Sequence, residues 1–251
     1  MSATIALGFR SVREALRQPD ALFMTMFIPL FFLVVNTGQA ADIFPSETTD
    51  FLEGQGYAAF QLPITLLLAA SFGMAALFLV EEIEGGYFDK LRAIPIPRYS
   101  IVLGRLVAEG AKGIVLASVI LLAALPFGIT IASGVIGFVL LVALTALWGI
   151  VYAGFMQLIA LKTRSAAATN SGGLIFFPLL FLTPNFVPRE LLTEPMEVAA
   201  TLNPVTYLME SLRSLILEDL DWEKILPGFG VVAVLGAVML VLNVRMIKRY
   251  D

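Results

Sequence analysis

GIVLASVILLAALPFGITIASGVIGFVLLVALTALWGIVYAGFMQLIAL, residues 113–161, runs for 49 positions without an Asp, Glu, Lys or Arg. The hydrocarbon core of a bilayer is roughly 30 Å thick, so one helical crossing takes about 20 mostly apolar residues. The stretch is long enough for two crossings, and Pro126-Phe127-Gly128 followed by Ser133-Gly134 offers a place to fold back. Four more charge-free intervals surround it, residues 21–41, 54–80, 165–188 and 225–244, of 21, 27, 24 and 20 residues. The pattern predicts an all-α membrane protein with six transmembrane helices, at 21–41, 57–80, 105–127, 133–161, 165–185 and 225–245.

Composition agrees. Hydrophobic residues make up 59% of the chain and charged residues 14%, against about a quarter in soluble proteins. The longest charge-bearing stretch between spans, 189–224, is too short for a separate soluble domain, so residues 1–251 read as one membrane domain. The absence of Cys and His removes disulfides, thiolate chemistry and the commonest metal ligand, and no metal site is expected. The Arg-bearing start, apolar run and small residues at Gly38-Gln39-Ala40 imitate a cleavable leader. The long polar lead-in and the polytopic remainder instead predict a retained first helix.

Orientation follows from the basic residues. With the N-terminus in the cytoplasm, the inner segments hold 13 of the 16 Lys and Arg. Only Arg189, Arg213 and Lys224 fall outside. Lys and Arg accumulate on the cytoplasmic side of short loops, so both termini are placed in the cytoplasm of a multi-pass plasma-membrane protein.

Three segments between the spans carry structure of their own. Within 1–20, Ile5, Phe9, Val12 and Leu16 share one helical face and Arg10, Arg13, Glu14 and Arg17 the other. This is an amphipathic interfacial helix, read either as an anchor at the inner headgroups or as a lever touching a cytoplasmic partner. Residues 81–100 mix charge, aromatics and a short helix pattern, closed by Pro95 and Pro97. They fold back on the bundle, or present a docking helix to a soluble subunit through Phe88, Leu91 and Ile94. In the outer segment 186–224, Asn203 reads as a helix N-cap with Pro204 at the first helical position. Val205, Leu208, Met209, Leu212, Leu215 and Ile216 then recur at helical spacing. The helix is re-entrant, dipping into the outer leaflet, or it lies on the surface of the bundle.

No charged residue is expected inside any span, which disfavours an ion-coupled carrier, and no Gly-Lys dipeptide exists to form a Walker A loop. ATP-driven transport would need a separate ATPase chain. The polar residues of the spans, Thr25, Asn36, Gln39, Gln61, Gln157, Asn170 and Asn243, are expected to hydrogen-bond between helices. Pro29 and Pro63 are expected to interrupt spans one and two.

Glu84-Gly85-Gly86-Tyr87-Phe88-Asp89-Lys90-Leu91-Arg92, then Pro95 and Leu103-Gly104-Arg105, resembles the loop after the second span of ABC-type-2 exporter permeases, in their daunorubicin-resistance-like group. Asn203-Pro204-Val205-Thr206-Tyr207 with Arg213 beyond resembles their outer segment. Gly86 replaces the second residue of the usual glycine-threonine pair, and Arg105 replaces Lys.

The resemblance covers the whole chain. It implies the membrane subunit of an ATP-binding cassette exporter for an amphipathic drug, lipid or glycolipid. This chain would have no ATPase site and no cofactor; ATP and Mg belong to a cytoplasmic ATP-binding cassette subunit, two copies per complex. A second permease subunit would pair with it, as a homodimer or heterodimer, in contact with membrane lipid and with no nucleic acid. By carry-over, Glu84, Gly85, Gly86, Phe88, Lys90, Leu91, Arg92 and Pro95 form the coupling helix against the ATPase. Phe27, Phe31, Asn36, Phe72, Phe176 and Phe177 are candidates for the substrate path. Asn203, Pro204, Tyr207 and Arg213 belong to the outer helix capping its exit. The competing reading is a stand-alone channel or ion-coupled carrier.

Overall fold

A computed structural model describes residues 7, 8, 10, 13, 19–72, 75–93 and 96–248, which form helices joined by short turns, with no strand among them. The helices are α1 (Pro19–Ala40), α2 (Tyr57–Ser71), α3 (Ala75–Glu84), α4 (Tyr87–Ala93), α5 (Tyr99–Ala124) and α6 (Gly134–Thr163). They continue with α7 (Ala166–Gly173), α8 (Phe176–Phe181), α9 (Glu194–Leu202), α10 (Pro204–Leu217) and α11 (Trp222–Lys248). Most of the N-terminal helix expected over 1–20 lies outside the described residues.

Four helical runs are long and apolar enough to cross a membrane: Tyr57–Glu84, Tyr99–Phe127, Gly134–Thr163 and Trp222–Lys248. Two shorter apolar stretches, Thr25–Ala40 within α1 and Ala166–Phe181 across α7 and α8, accompany them. The run Tyr57–Glu84 is 87% buried and forms the centre of the bundle, whereas Trp222–Lys248, at 17%, forms its edge. The antiparallel pair α5–α6 folds back at Leu125–Phe127 and Gly128, where the charge-free 49-residue stretch predicts a turn. Gly113 allows that pair to approach closely: a Cβ there would lie 2.9 Å from the Ala146 Cα.

The second span is broken, but not at Pro63. Pro63 sits inside an unbroken α2 and Pro29 inside an unbroken α1. One missing backbone donor is tolerated where neighbouring helices enclose the segment. The break comes at Phe72, at φ −81° and ψ 44°. There Trp148 Nε1 donates to Ser71 Oγ at 3.0 Å and Thr25 Oγ1 to the Phe72 carbonyl at 3.4 Å. The Phe72 carbonyl thus finds a partner on α1, and Trp148 ties the end of α2 to α6.

The helix expected as the third span starts at Tyr99, six residues before the expected 105, and, against the expectation of uncharged spans, carries charge in its first half. Arg105 and Glu109 are buried there. Arg105 pairs with Glu82, and Lys112 with Glu109 at 2.6 Å, so the helix continues through them. The segment expected as the fifth span is two short helices, because Gly172-Gly173 are poor helix formers and Pro178 follows.

Helix α10, expected on the outer side, is enclosed by protein and does not lie on the surface. Val205, Leu208, Met209, Leu212, Leu215 and Ile216 are all 1% exposed or less. It packs against α2, α6 and α11. Asn203 caps it as expected, its Oδ1 accepting from the Val205 N–H at 3.0 Å. Of the expected interhelical polar contacts, Asn243 Nδ2 donates to the Gly154 carbonyl at 2.8 Å and Asn36 Nδ2 to Gln61 Oε1 at 3.3 Å. Gln157, fully buried, makes no hydrogen bond among the described residues.

Candidate coupling surface, membrane cleft and outer vestibule

At one end of the bundle, α3 stops at Gly85-Gly86. The Gly85 N–H donates to the Glu81 carbonyl at 2.8 Å, and Gly86 takes φ +69°, the left-handed conformation that lets the chain turn into α4. Helix α4 then presents two faces. Phe88 and Leu91 turn inward, 1% and 6% exposed, into the bundle core. Glu84, Tyr87, Asp89 and Lys90 are exposed.

Glu82, half-hidden beneath this turn, accepts from both Arg10 and Arg105. It joins the N-terminal segment, the end of α3 and the start of α5. Arg10 also lies 4.9 Å from the centre of the Tyr87 ring. Burial alone would lower the Arg10 guanidinium, but the Glu82 charge and hydrogen bond outweigh it, so its pKa is raised.

Further out, the break at Phe72 faces the discontinuity between α7 and α8. Between them lies a cavity of about 370 Å³, walled by Leu68, Phe72, Met156, Leu174, Phe176 and Phe177. Its polar fittings are few: Ser71, Asn170, Ser171 and Tyr152, whose hydroxyl donates to the Gly173 carbonyl at 2.9 Å. A second, narrow space next to it is lined by Asn36 and shares Leu68 and Phe177.

At the opposite end a larger cavity of about 570 Å³ is bounded by α10, the start of α11 and the segment before α2. Arg189 grips Glu210 through two hydrogen bonds, Nε at 3.0 Å and Nη2 at 2.5 Å, and sits 5.1 Å from the Tyr207 ring. Burial would lower the Arg189 guanidinium, and the Glu210 carboxylate more than offsets this, raising its pKa. Lys224 pairs with Glu218 at 2.7 Å. Arg213 is buried, with its guanidinium 3.6 Å from the centre of the Phe60 ring.

The family model for the ABC-2 type transporter matches residues 2–217. The chain belongs to the ABC-2 type transporter family. It is also 22% identical over 222 residues to the daunorubicin resistance ABC transporter permease protein DrrB1 of Streptomyces coeruleorubidus, covering 86% of this chain and 75% of that relative. Members of the family are the membrane permease components of ABC transporters, pair with an ATP-binding cassette subunit that carries the ATPase site, and often dimerise.

In this ABC-2 permease the structure groups the sequence candidates unevenly. Glu84, Gly85, Gly86 and Lys90 lie together at the turn between α3 and α4. Phe88 and Leu91, expected as outward anchors, are instead core residues: the i, i+3 apolar pair closes over the bundle and leaves the charged face outside. The Arg92 side chain and Pro95 lie outside the described residues.

Phe72, Phe176 and Phe177 meet at the cleft, and Asn36 at its narrow neighbour. Phe27 and Phe31 line neither. Stacked in a ladder with Phe23, they occupy the outward face of α1 and are about half exposed. Asn203, Pro204 and Tyr207 belong to α10 and its cap, with Tyr207 and Arg213 at the outer cavity. The residue missed entirely is Glu82. Nothing in the local pattern separates it from Glu81 and Glu84, because its partners lie 72 and 23 positions away.

Proposed function

We propose that this chain is the permease half of an ATP-driven exporter that moves an amphipathic drug, lipid or glycolipid out of the cytoplasm or inner leaflet of the plasma membrane. The observation that carries the reading is the cleft at the Phe72 break: apolar and aromatic walls with a few fixed polar groups, sized for part of an amphiphile. The relative's role in daunorubicin resistance supports a substrate of this kind.

In this reading α1 and the α7–α8 pair complete six crossings. At about 1.5 Å per residue, the 22 residues of α1 reach roughly 33 Å. The α7–α8 stretch is shorter and reaches the outer leaflet together with the enclosed helix α10. Both termini are cytoplasmic. Two permease copies pair, and two ATP-binding subunits, holding ATP and Mg, dock on the surface formed by Glu84, Gly85, Gly86, Tyr87, Asp89 and Lys90. Arg92 and Pro95 extend that surface in sequence. The Glu82 clamp transmits their movement to α5 and to the N-terminal segment.

The test is reconstitution of the chain with its ATP-binding subunit in inside-out vesicles, following uptake of an anthracycline and of a fluorescent lipid. Uptake requiring both subunits, ATP and Mg is the expected result. Uptake by the chain alone, driven by an ion gradient or by none, would establish the channel or carrier instead.

A further inference from the structure

The larger cavity contains a buried charge with no ion pair of its own, on which the Glu210 and Glu190 carboxylates act only from a distance. Arg213 is buried on α10, its Nη2 donates to the Pro184 carbonyl at 2.9 Å, and its guanidinium rests over the face of the Phe60 ring. Its Nε has no hydrogen-bond partner, and among the described residues no carboxylate lies within ion-pair distance. A guanidinium carries five N–H donors in a planar fork, and burying one without an anionic partner is costly. Stacking on Phe60 fixes the plane of that fork, the arrangement suited to holding a phosphate or carboxylate through two bonds.

The remaining charges of the cavity narrow the ligand. Glu210 and Glu218 are already paired with Arg189 and Lys224. Glu53, Glu190 and Glu223 are exposed at the mouth and make no ion pair among the described residues. A simple anion would have to pass three carboxylates to reach Arg213. A simple cation would be held at the mouth and leave Arg213 unanswered. A group carrying both charges, oxyanion inward and ammonium outward, satisfies both ends.

We propose that this cavity binds a zwitterionic headgroup, its phosphate or carboxylate on Arg213 and its ammonium among Glu53, Glu190 and Glu223. The chemistry is shared by a phosphoethanolamine lipid and by its soluble headgroup. Placement of the site on the outer face rests on the topology proposed above; the binding itself does not.

The experiment uses the chain in complex with its ATP-binding subunit, in maltoside detergent, with bound lipid counted by native mass spectrometry. The probes are phosphatidylethanolamine, phosphatidylglycerol, glycerophosphoethanolamine and inorganic phosphate. Phosphatidylethanolamine should be retained in preference to phosphatidylglycerol. Arg213→Gln should weaken it about tenfold, the loss of one charge-assisted contact.

The double variant Glu190→Gln, Glu223→Gln changes only exposed side chains and keeps the test open if Arg213→Gln fails to fold. It should erase the preference for phosphatidylethanolamine over phosphatidylglycerol. Competition by glycerophosphoethanolamine identifies a soluble source, and a need for acyl chains identifies a lipid; either upholds the site. Equal retention of both lipids by the unaltered complex, unchanged preference in the double variant, or displacement by inorganic phosphate alone would overturn it. ATP-driven export measured in the same preparation tests the exporter reading separately.

Discussion

Gly113 lets α5 and α6 approach until a single added carbon would strike backbone, the Ala146 Cα at 2.9 Å. Backbone cannot give way as a side-chain tip can. Gly113→Leu should therefore push the hairpin apart at a cost of about 2 kcal/mol. The expected outcome is a clearly lower melting temperature for the detergent-solubilised protein. Gly38, with nothing within 4 Å of an added carbon, is the matched control, and Gly38→Leu should melt normally. If Gly113→Leu melts with the unaltered chain, the α5–α6 packing described above is wrong. Small residues in span four, including Ala146, already suggest close helix approach in the sequence. The partner of each one is set by the rotation of two helices about their axes, which no local pattern encodes.

Helix α4 shows how far local sequence reaches. Its existence, its start after a Gly pair and its apolar spacing are all readable in the sequence, because they depend on nearby residues. The direction of its apolar face is not readable: an i, i+3 pair of Phe and Leu suits a partner's groove or the chain's own core equally. The structure turns Phe88 and Leu91 inward. Two different outcomes follow from that division. Phe88→Ala should destabilise the chain by about 3–5 kcal/mol, seen as loss of folded protein in detergent. Glu84→Lys and Lys90→Glu should leave insertion and melting unchanged, and these two and Arg92→Glu should all lower ATP-driven export, with ATP hydrolysis by the complex no longer responding to substrate. Normal export by all three would remove this surface from the interface. Glu82→Gln belongs to neither class. It removes the Glu82 carboxylate from Arg105, which is buried at 4% side-chain exposure, and should lower the melting temperature. Both stability and coupling should suffer together.

Across the whole molecule, charge-free length locates the apolar segments and the basic residues suggest which way they run. Length alone does not establish every crossing. Four runs meet it outright, while α7 and α8 fall short because a Gly pair and Pro178 divide them, and α10 is enclosed by protein without being long enough to span. The six-span, termini-inside arrangement is therefore a question of sidedness, and the chain is well suited to answering it because it contains no Cys. Single cysteines placed at exposed positions would each report one loop. Leu191→Cys, between α8 and α9, and Glu53→Cys, before α2, should react with a membrane-impermeant maleimide on intact cells. Arg98→Cys, between α4 and α5, and Lys162→Cys, at the end of α6, should react only after permeabilisation. Labelling of Arg98→Cys from outside would invert the chain and separate Glu84 and Lys90 from any cytoplasmic ATPase. Labelling of Leu191→Cys and Lys162→Cys from the same side would show that the α7–α8 stretch does not cross, leaving five spans and placing the C-terminus on the opposite side from the N-terminus. Only the alternating pattern is compatible with α4 facing the cytoplasm while the Arg213 cavity opens to the outside.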